Sequence, residues 1–216
     1  MDYASARRNM VDGQLRTNRV NDPRLLGAFE TLPRELFVPD TARGFAYVDE
    51  DLPLGHGRWI MEPMVLGRLL QEAEIEEGDA VLVVAAGSGY SAAVAASMAG
   101  SVVALEEETA LAEQARSLLQ ELEIDNVSVV TGELRKGWPE QAPYDVILVE
   151  GAIEEVPAAF GDQLAEGGRL VAVVRPPGEV GRARLFRKNG TLASRVLFDA
   201  ATPVIESMRK PRSFVF

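Results

Sequence analysis

Residues 80–96 read Ala80-Val81-Leu82-Val83-Val84-Ala85-Ala86-Gly87-Ser88-Gly89-Tyr90-Ser91-Ala92-Ala93-Val94-Ala95-Ala96. An unbroken apolar run rich in valine predicts a strand buried on both faces; Gly-Ser-Gly predicts a tight turn, and the alanines after it a closely packed helix. These three parts are half of a nucleotide-binding βαβ unit. Glycine lets the backbone come close to a ligand, and the amide end of the helix favours polar or anionic groups there. A second apolar run, Ser101 to Leu105, ends in Glu106, nineteen residues beyond Gly87. A carboxylate at the end of that strand is placed to accept hydrogen bonds from ribose hydroxyls.

The chain has 216 residues, of which 47% are hydrophobic, enough for one sizeable core. A single domain, 1–216, is expected, with residues 1–62 as a helical and loop wrap and 63–216 as an α/β core with a C-terminal hairpin. The net charge of −11 argues against nucleic acid, which needs a clustered basic face. With no cysteine and one histidine, thiolate chemistry is excluded and most metal sites and catalytic triads with it; no metal is expected. No apolar run approaches the about 20 residues of a membrane span, and the charged start at Asp2, Arg7 and Arg8 makes a cytoplasmic location the default.

Met10, Val11 and Leu15 give the first segment a narrow apolar stripe, suited to a surface helix. Asn21-Asp22-Pro23 then carries a helix-start signal, with Leu25, Leu26 and Phe29 as its buried face. Prolines and glycines from Pro33 to Gly44 predict irregular backbone. Leu52 to Pro63 reads as a loop containing Gly55 and Gly57, and loops of this composition beside such a fold receive substrates. His56, between those glycines, is expected to be exposed and to have no partner that would make it a base. A helix is predicted to follow to Ala73, and another over Thr109–Leu122. Strands are predicted at Asn126–Thr131, Tyr144–Glu150 and Arg169–Val174, with a helix over Val156–Ala165. Strand and helix alternate, so the sheet is largely parallel. Asn189-Gly190 between two strand-like runs signals a closing antiparallel hairpin.

A mostly parallel seven-stranded sheet with helices on both faces and a terminal hairpin resembles the Rossmann-like class I S-adenosylmethionine-dependent methyltransferases. The glycine turn and Glu106 alone would also suit an NAD-dependent oxidoreductase, which nothing else in the chain supports. Met10-Val11, Gln14, Pro33-Arg34-Glu35, Phe37-Val38-Pro39, Tyr47, Asp49, Leu52-Pro53, Gly55, Gly57, Ile60 and Pro63-Met64-Val65 resemble the protein-L-isoaspartate O-methyltransferases in order and spacing. So do Gly87-Ser88-Gly89-Tyr90, Gly132, Gly137-Trp138, Pro143-Tyr144-Asp145, Gln163-Leu164 and Gly167-Gly168-Arg169-Leu170-Val171.

That resemblance implies an enzyme of protein repair, moving a methyl group from S-adenosylmethionine to a carboxylate of a damaged protein or peptide. It places Ala85, Gly87 and Gly89 at the amino-acid end of the cofactor, Glu106 at the ribose and Glu133 near the adenine. The substrate loop departs from the family's Gln-Thr-Ile-Ser-Gln-Pro and reads Arg58-Trp59-Ile60-Met61-Glu62-Pro63. Trp59 and Met61 replace both hydroxyls, so little or no methylation of isoaspartyl peptides is expected. Arg58, in place of glutamine, is a candidate anchor for a carboxylate acceptor, against a surface pairing with Glu62 or Asp49 to Asp51. Val83 and Ala85 stand where relatives carry an acid and a glycine, and Glu133-Leu134 follows Gly132 where they carry Asp-Gly, which predicts weakened cofactor binding. A binding or regulatory homologue that has lost the chemistry is the alternative reading.

Overall fold

A computed structural model describes residues 2–210. Its first third, the expected wrap, packs against the rest and comprises α1 (Tyr3–Met10), which runs on through one π-helical and one tight turn to Asn18, and α2 (Pro23–Thr31). Asp22 caps α2 by accepting from the Arg24 amide at 2.8 Å, and Pro23 occupies its first turn. Leu25, Leu26 and Phe29 are buried as the spacing requires. Short 3₁₀ turns over Arg34–Leu36 and Asp40–Phe45 carry the chain onward.

Residues 52–60, expected as a loop, form instead a small antiparallel hairpin of β1 (Leu52–Gly55) and β2 (Arg58–Ile60). The turn Gly55-His56-Gly57 has φ of +86°, +52° and +70°, so two glycines carry most of a left-handed reversal that ordinary residues resist. Alternation in β2 buries Arg58 and Ile60 and turns Trp59 outward.

The core follows as α3 (Pro63–Ala73), β3 (Ala80–Val84), α4 (Tyr90–Ala96), β4 (Ser101–Glu106), α5 (Thr109–Glu121), β5 (Val127–Thr131), β6 (Tyr144–Ile153), α6 (Ala158–Gln163), β7 (Leu164–Val174), β8 (Arg182–Asn189) and β9 (Thr191–Asp199). One sheet has the order β5-β4-β3-β6-β7-β8-β9; its first five strands are parallel, and β8 and β9 are antiparallel. The strands alternate between two apolar layers. Val81, Val83, Ala104, Val146 and Leu148 face the side of α3 and α4, while Leu82, Val84, Leu105, Ile147 and Val149 face Phe160 of α6 and Met208.

The helix expected over Val156–Ala165 is shorter, because Pro157 sets its start and Leu164 already pairs with Tyr144 in the sheet. Strand β6 outruns its apolar stretch by passing through Gly151, at φ +134°. Beyond β9 the chain returns to this strand end, where the Ala152 amide donates to Pro203 at 2.9 Å and the Ile205 amide to Ala152 at 2.9 Å. No helix among the described residues is long and apolar enough to cross a membrane.

Candidate active site at the carboxyl ends of the strands

Strand β3 pairs with β4 on one side and β6 on the other, so the chain leaves the middle of the sheet in opposite directions. Such a reversal opens a crevice outside the carboxyl ends of the strands. Into it the sheet delivers the 85–89 turn from β3, Glu106 from β4 and Glu150 from β6, with the tail after β9 at one edge and the β1–β2 hairpin on top.

In the turn, Ala85, Gly87 and Gly89 all have positive φ, at +61°, +54° and +95°. An L-residue there costs about 1–2 kcal/mol, which Ala85 bears and the glycines avoid. The two glycines answer to different neighbours. A Cβ on Gly89 would stand 3.1 Å from the Ala115 Cβ, so this glycine lets α4 pack against α5; one on Gly87 would stand 2.8 Å from Leu54 Cδ1 of the hairpin.

Glu106 is fully buried at the end of β4. It accepts from the backbone amides of Gly87, Glu107 and Glu108, each at 2.9 Å, and from Arg58 Nε at 3.1 and 3.3 Å. Arg58, only 4% exposed, also donates from Nη2 to Glu107. Neither sequence reading of Arg58 anticipates this, since its partners are not Glu62 or Asp49 to Asp51 and its charge is engaged by Glu106 and Glu107. The reason is the inward face of β2, which points the guanidinium at the β4 end.

The other side of the crevice is acidic. Burial pushes the Glu150 carboxyl up to about 7, against the opposing pull of hydrogen bonds from Ser91 Oγ and the Met61 amide and of the Arg34 charge. Arg34 is itself fully buried, donating to the carbonyls of Ala46 at 2.7 Å and Met61 at 2.9 Å with its guanidinium 4.9 Å from the Tyr90 ring centre. Burial raises Asp51, which accepts from the Glu62 amide at 2.9 Å. Glu62 rises to about 7, through burial and then the charges of Asp51, Asp49 and Glu50.

A cavity with room for about one water, roughly 10 Å³, is lined by Asp51, Arg58, Trp59, Met61, Glu150 and Thr202 among others. The three expected substrate residues thus meet at one place, with Met61 buried and Trp59 39% exposed. Glu133 stands apart, exposed and paired with Lys136 at 2.7 Å. His56 is exposed, with Nδ1 3.7 Å from Glu108. Sequence reasoning passed over Glu150, Asp51 and Thr202. Glu150 carried a usable signal, an acid ending an apolar strand, which is what singled out Glu106. Thr202, whose buried hydroxyl has no partner, carried none, because the tail's return to β6 has no local signature.

The sequence model of the protein-L-isoaspartate(D-aspartate) O-methyltransferases matches residues 6–201. A protein-L-isoaspartate O-methyltransferase 2 of Anaeromyxobacter sp. (strain Fw109-5) is 44% identical over 174 residues, covering 81% of this chain and 72% of the relative. A protein-L-isoaspartate O-methyltransferase of Methylorubrum extorquens (strain PA1) is 43% identical over 187 residues, covering 87% and 82%. A solved protein-L-isoaspartate O-methyltransferase superposes with a TM-score of 0.80 at 27% identity, over 92% of this chain and 65% of that one. A Plasmodium falciparum protein solved in complex with S-adenosyl-L-homocysteine shares the fold, with a TM-score of 0.79 at 19% identity over 96% and 99%. With a family match that spans both the wrap and the sheet, and with relatives alike over most of their length, the chain belongs to the protein-L-isoaspartate(D-aspartate) O-methyltransferase family.

Proposed function

We propose that the protein is an S-adenosylmethionine-dependent methyltransferase whose acceptor is a carboxylate of damaged protein, the isoaspartyl α-carboxylate foremost. The observation that carries this reading is the family match over residues 6–201, within which Glu106 lies buried at the end of β4 against the Gly87 amide.

The residues present fit the cofactor by their chemistry. Glu106 is an acceptor-only carboxylate suited to a ribose diol, Gly87 leaves only the movable Leu54 side chain over the turn beside it, and the family resemblance puts Glu133 on the adenine side. When bound, S-adenosylmethionine supplies an activated methyl sulfonium. A carboxylate is already a nucleophile, so the protein needs no strong base and contributes by alignment. Arg58, Trp59 and Met61 wall the acceptor side, as the cavity between them suggests. Below about pH 7 Glu150 is held neutral by burial, which spares an incoming carboxylate like-charge repulsion and offers it an O–H donor. The loss of both loop hydroxyls makes turnover slow, because each unsatisfied contact costs about 1–3 kcal/mol.

Transfer of labelled methyl groups to an isoaspartyl peptide, set against its aspartyl counterpart, tests the reading. The expected result is slow formation of a base-labile ester on the isoaspartyl peptide alone. Absence of both transfer and cofactor binding would overturn it.

A further inference from the structure

The carboxylate expected to hold the ribose has no acceptor position to spare. A carboxylate offers about four lone-pair sites. On Glu106, Oε1 takes the amides of Glu107 and Glu108 and Arg58 Nε, while Oε2 takes the Gly87 amide and the longer branch from Arg58. Three of these donors are backbone atoms fixed by the turn and by the start of α5. Arg58 is the one donor that a side-chain rotation can remove.

A second contact from the same hairpin lies alongside. Leu54 Cδ1 is the atom nearest to where a Gly87 Cβ would stand, so the backbone that a ligand should approach is already covered by β1. The hairpin is only two strands, pairs with nothing in the main sheet and turns through three consecutive positive-φ residues.

We propose that Arg58 occupies the ribose subsite and sets cofactor affinity by competition: its guanidinium donates to Glu106 where the diol would donate, and must leave before the diol can bind. This rests on the reading of Glu106 as the ribose acceptor. Arg58 has somewhere to go, since Glu107 already accepts from its Nη2, and both Glu107 and Glu108 reach solvent. The exchange is a substitution of one set of donors for another on a carboxylate that stays ionised and buried. Removing Arg58 leaves Glu106 with three amide donors, so the charge is not orphaned and the fold is retained.

The test is calorimetric titration of S-adenosyl-L-homocysteine, a non-reacting ligand, into the full chain and into Arg58→Gln, Arg58→Met, Glu107→Gln and the double variant Arg58→Gln/Glu106→Gln. Each is first checked for a cooperative thermal transition. Competition predicts that Arg58→Gln and Arg58→Met bind about tenfold tighter or more, because a charged donor no longer has to be displaced. Glu107→Gln, which removes the refuge of a displaced Arg58 and leaves Glu106 intact, should weaken binding by a smaller factor and stands in if the Arg58 variants fail to fold. The double variant should lose the gain. Trp59, exposed on the same hairpin, gives an independent readout in a Trp138→Phe background, with a fluorescence change on ligand binding that tracks the hairpin rather than turnover. Binding that is equal or weaker without Arg58, with the parent still binding, would overturn the competition and leave the proposed function standing. No binding by any variant would overturn both.

Discussion

Glu150 gives the sharpest numerical expectation. Its carboxyl is buried at the end of β6 and rises from an ordinary 4.5 to about 7, chiefly because burial penalises the ionised form, with the Glu106 charge adding and Ser91, the Met61 amide and Arg34 opposing. A factor of ten in proton affinity is worth about 1.4 kcal/mol, so the difference between folded and unfolded protein amounts to about 3 kcal/mol. The folded state holds this proton more tightly than the unfolded one. The contribution is therefore fully present below about pH 4.5 and is lost as pH rises through about 7.

Glu150→Gln removes the titration and keeps an acceptor for one of the two donors. Urea unfolding of parent and variant, followed by circular dichroism from about pH 5 to about pH 8.5, isolates the effect because other groups cancel in the difference. The variant should gain on the parent by about 2–3 kcal/mol across that window, most of it between about pH 5 and about pH 7. A difference that changes by less than about 1 kcal/mol would refute the reasoning and mean that Glu150 stays ionised throughout.

The turn and the wrap support further tests. Ala85→Gly relieves about 1–2 kcal/mol of left-handed strain but loses a buried methyl and adds unfolded-state freedom, so urea melts should show a net change within about 1 kcal/mol while S-adenosyl-L-homocysteine binds more tightly by calorimetry. Val83→Glu behaves oppositely, since Val83 lies fully buried in an apolar layer, and the same melts should show a loss of several kcal/mol. Tyr47→Phe removes a hydroxyl that donates to Glu35 and accepts from Arg7 Nε at 3.0 Å, and should lower unfolding free energy by about 1–2 kcal/mol without altering ligand affinity.

Where the physics is local, the sequence was readable. The 80–106 unit, the Asp22-Pro23 helix start and the Asn189-Gly190 hairpin each depend on neighbours within a few residues, and all fold as read. Contacts between distant segments were not readable. Arg58 looked like an exposed or acceptor-facing residue because nothing nearby revealed that residues 52–60 pair; only the alternation of Arg58 and Ile60 about Trp59 hinted at an inward face. Ser91, hidden in an alanine-rich helix, proved to donate to Glu150, 59 positions away. Gly89 matched a ligand-binding pattern, yet the structure supplies a packing reason for it against Ala115.

The span of the contacts that close the crevice has a bearing on how the chain folds. Arg58 meets Glu106 across 48 positions, and the Met61 amide meets Glu150 across 89. Each partner exists only after the strand that bears it has been made and placed in the sheet. During synthesis the wrap emerges first, and Arg58 waits for a partner 48 positions further along the chain. Loop-closure entropy makes such distant pairings slow relative to the local turn and helix of the 80–106 unit. The hairpin side of the crevice therefore cannot be completed until β4 and β6 are in the sheet, and any lesion that delays β6 leaves the hairpin without its floor.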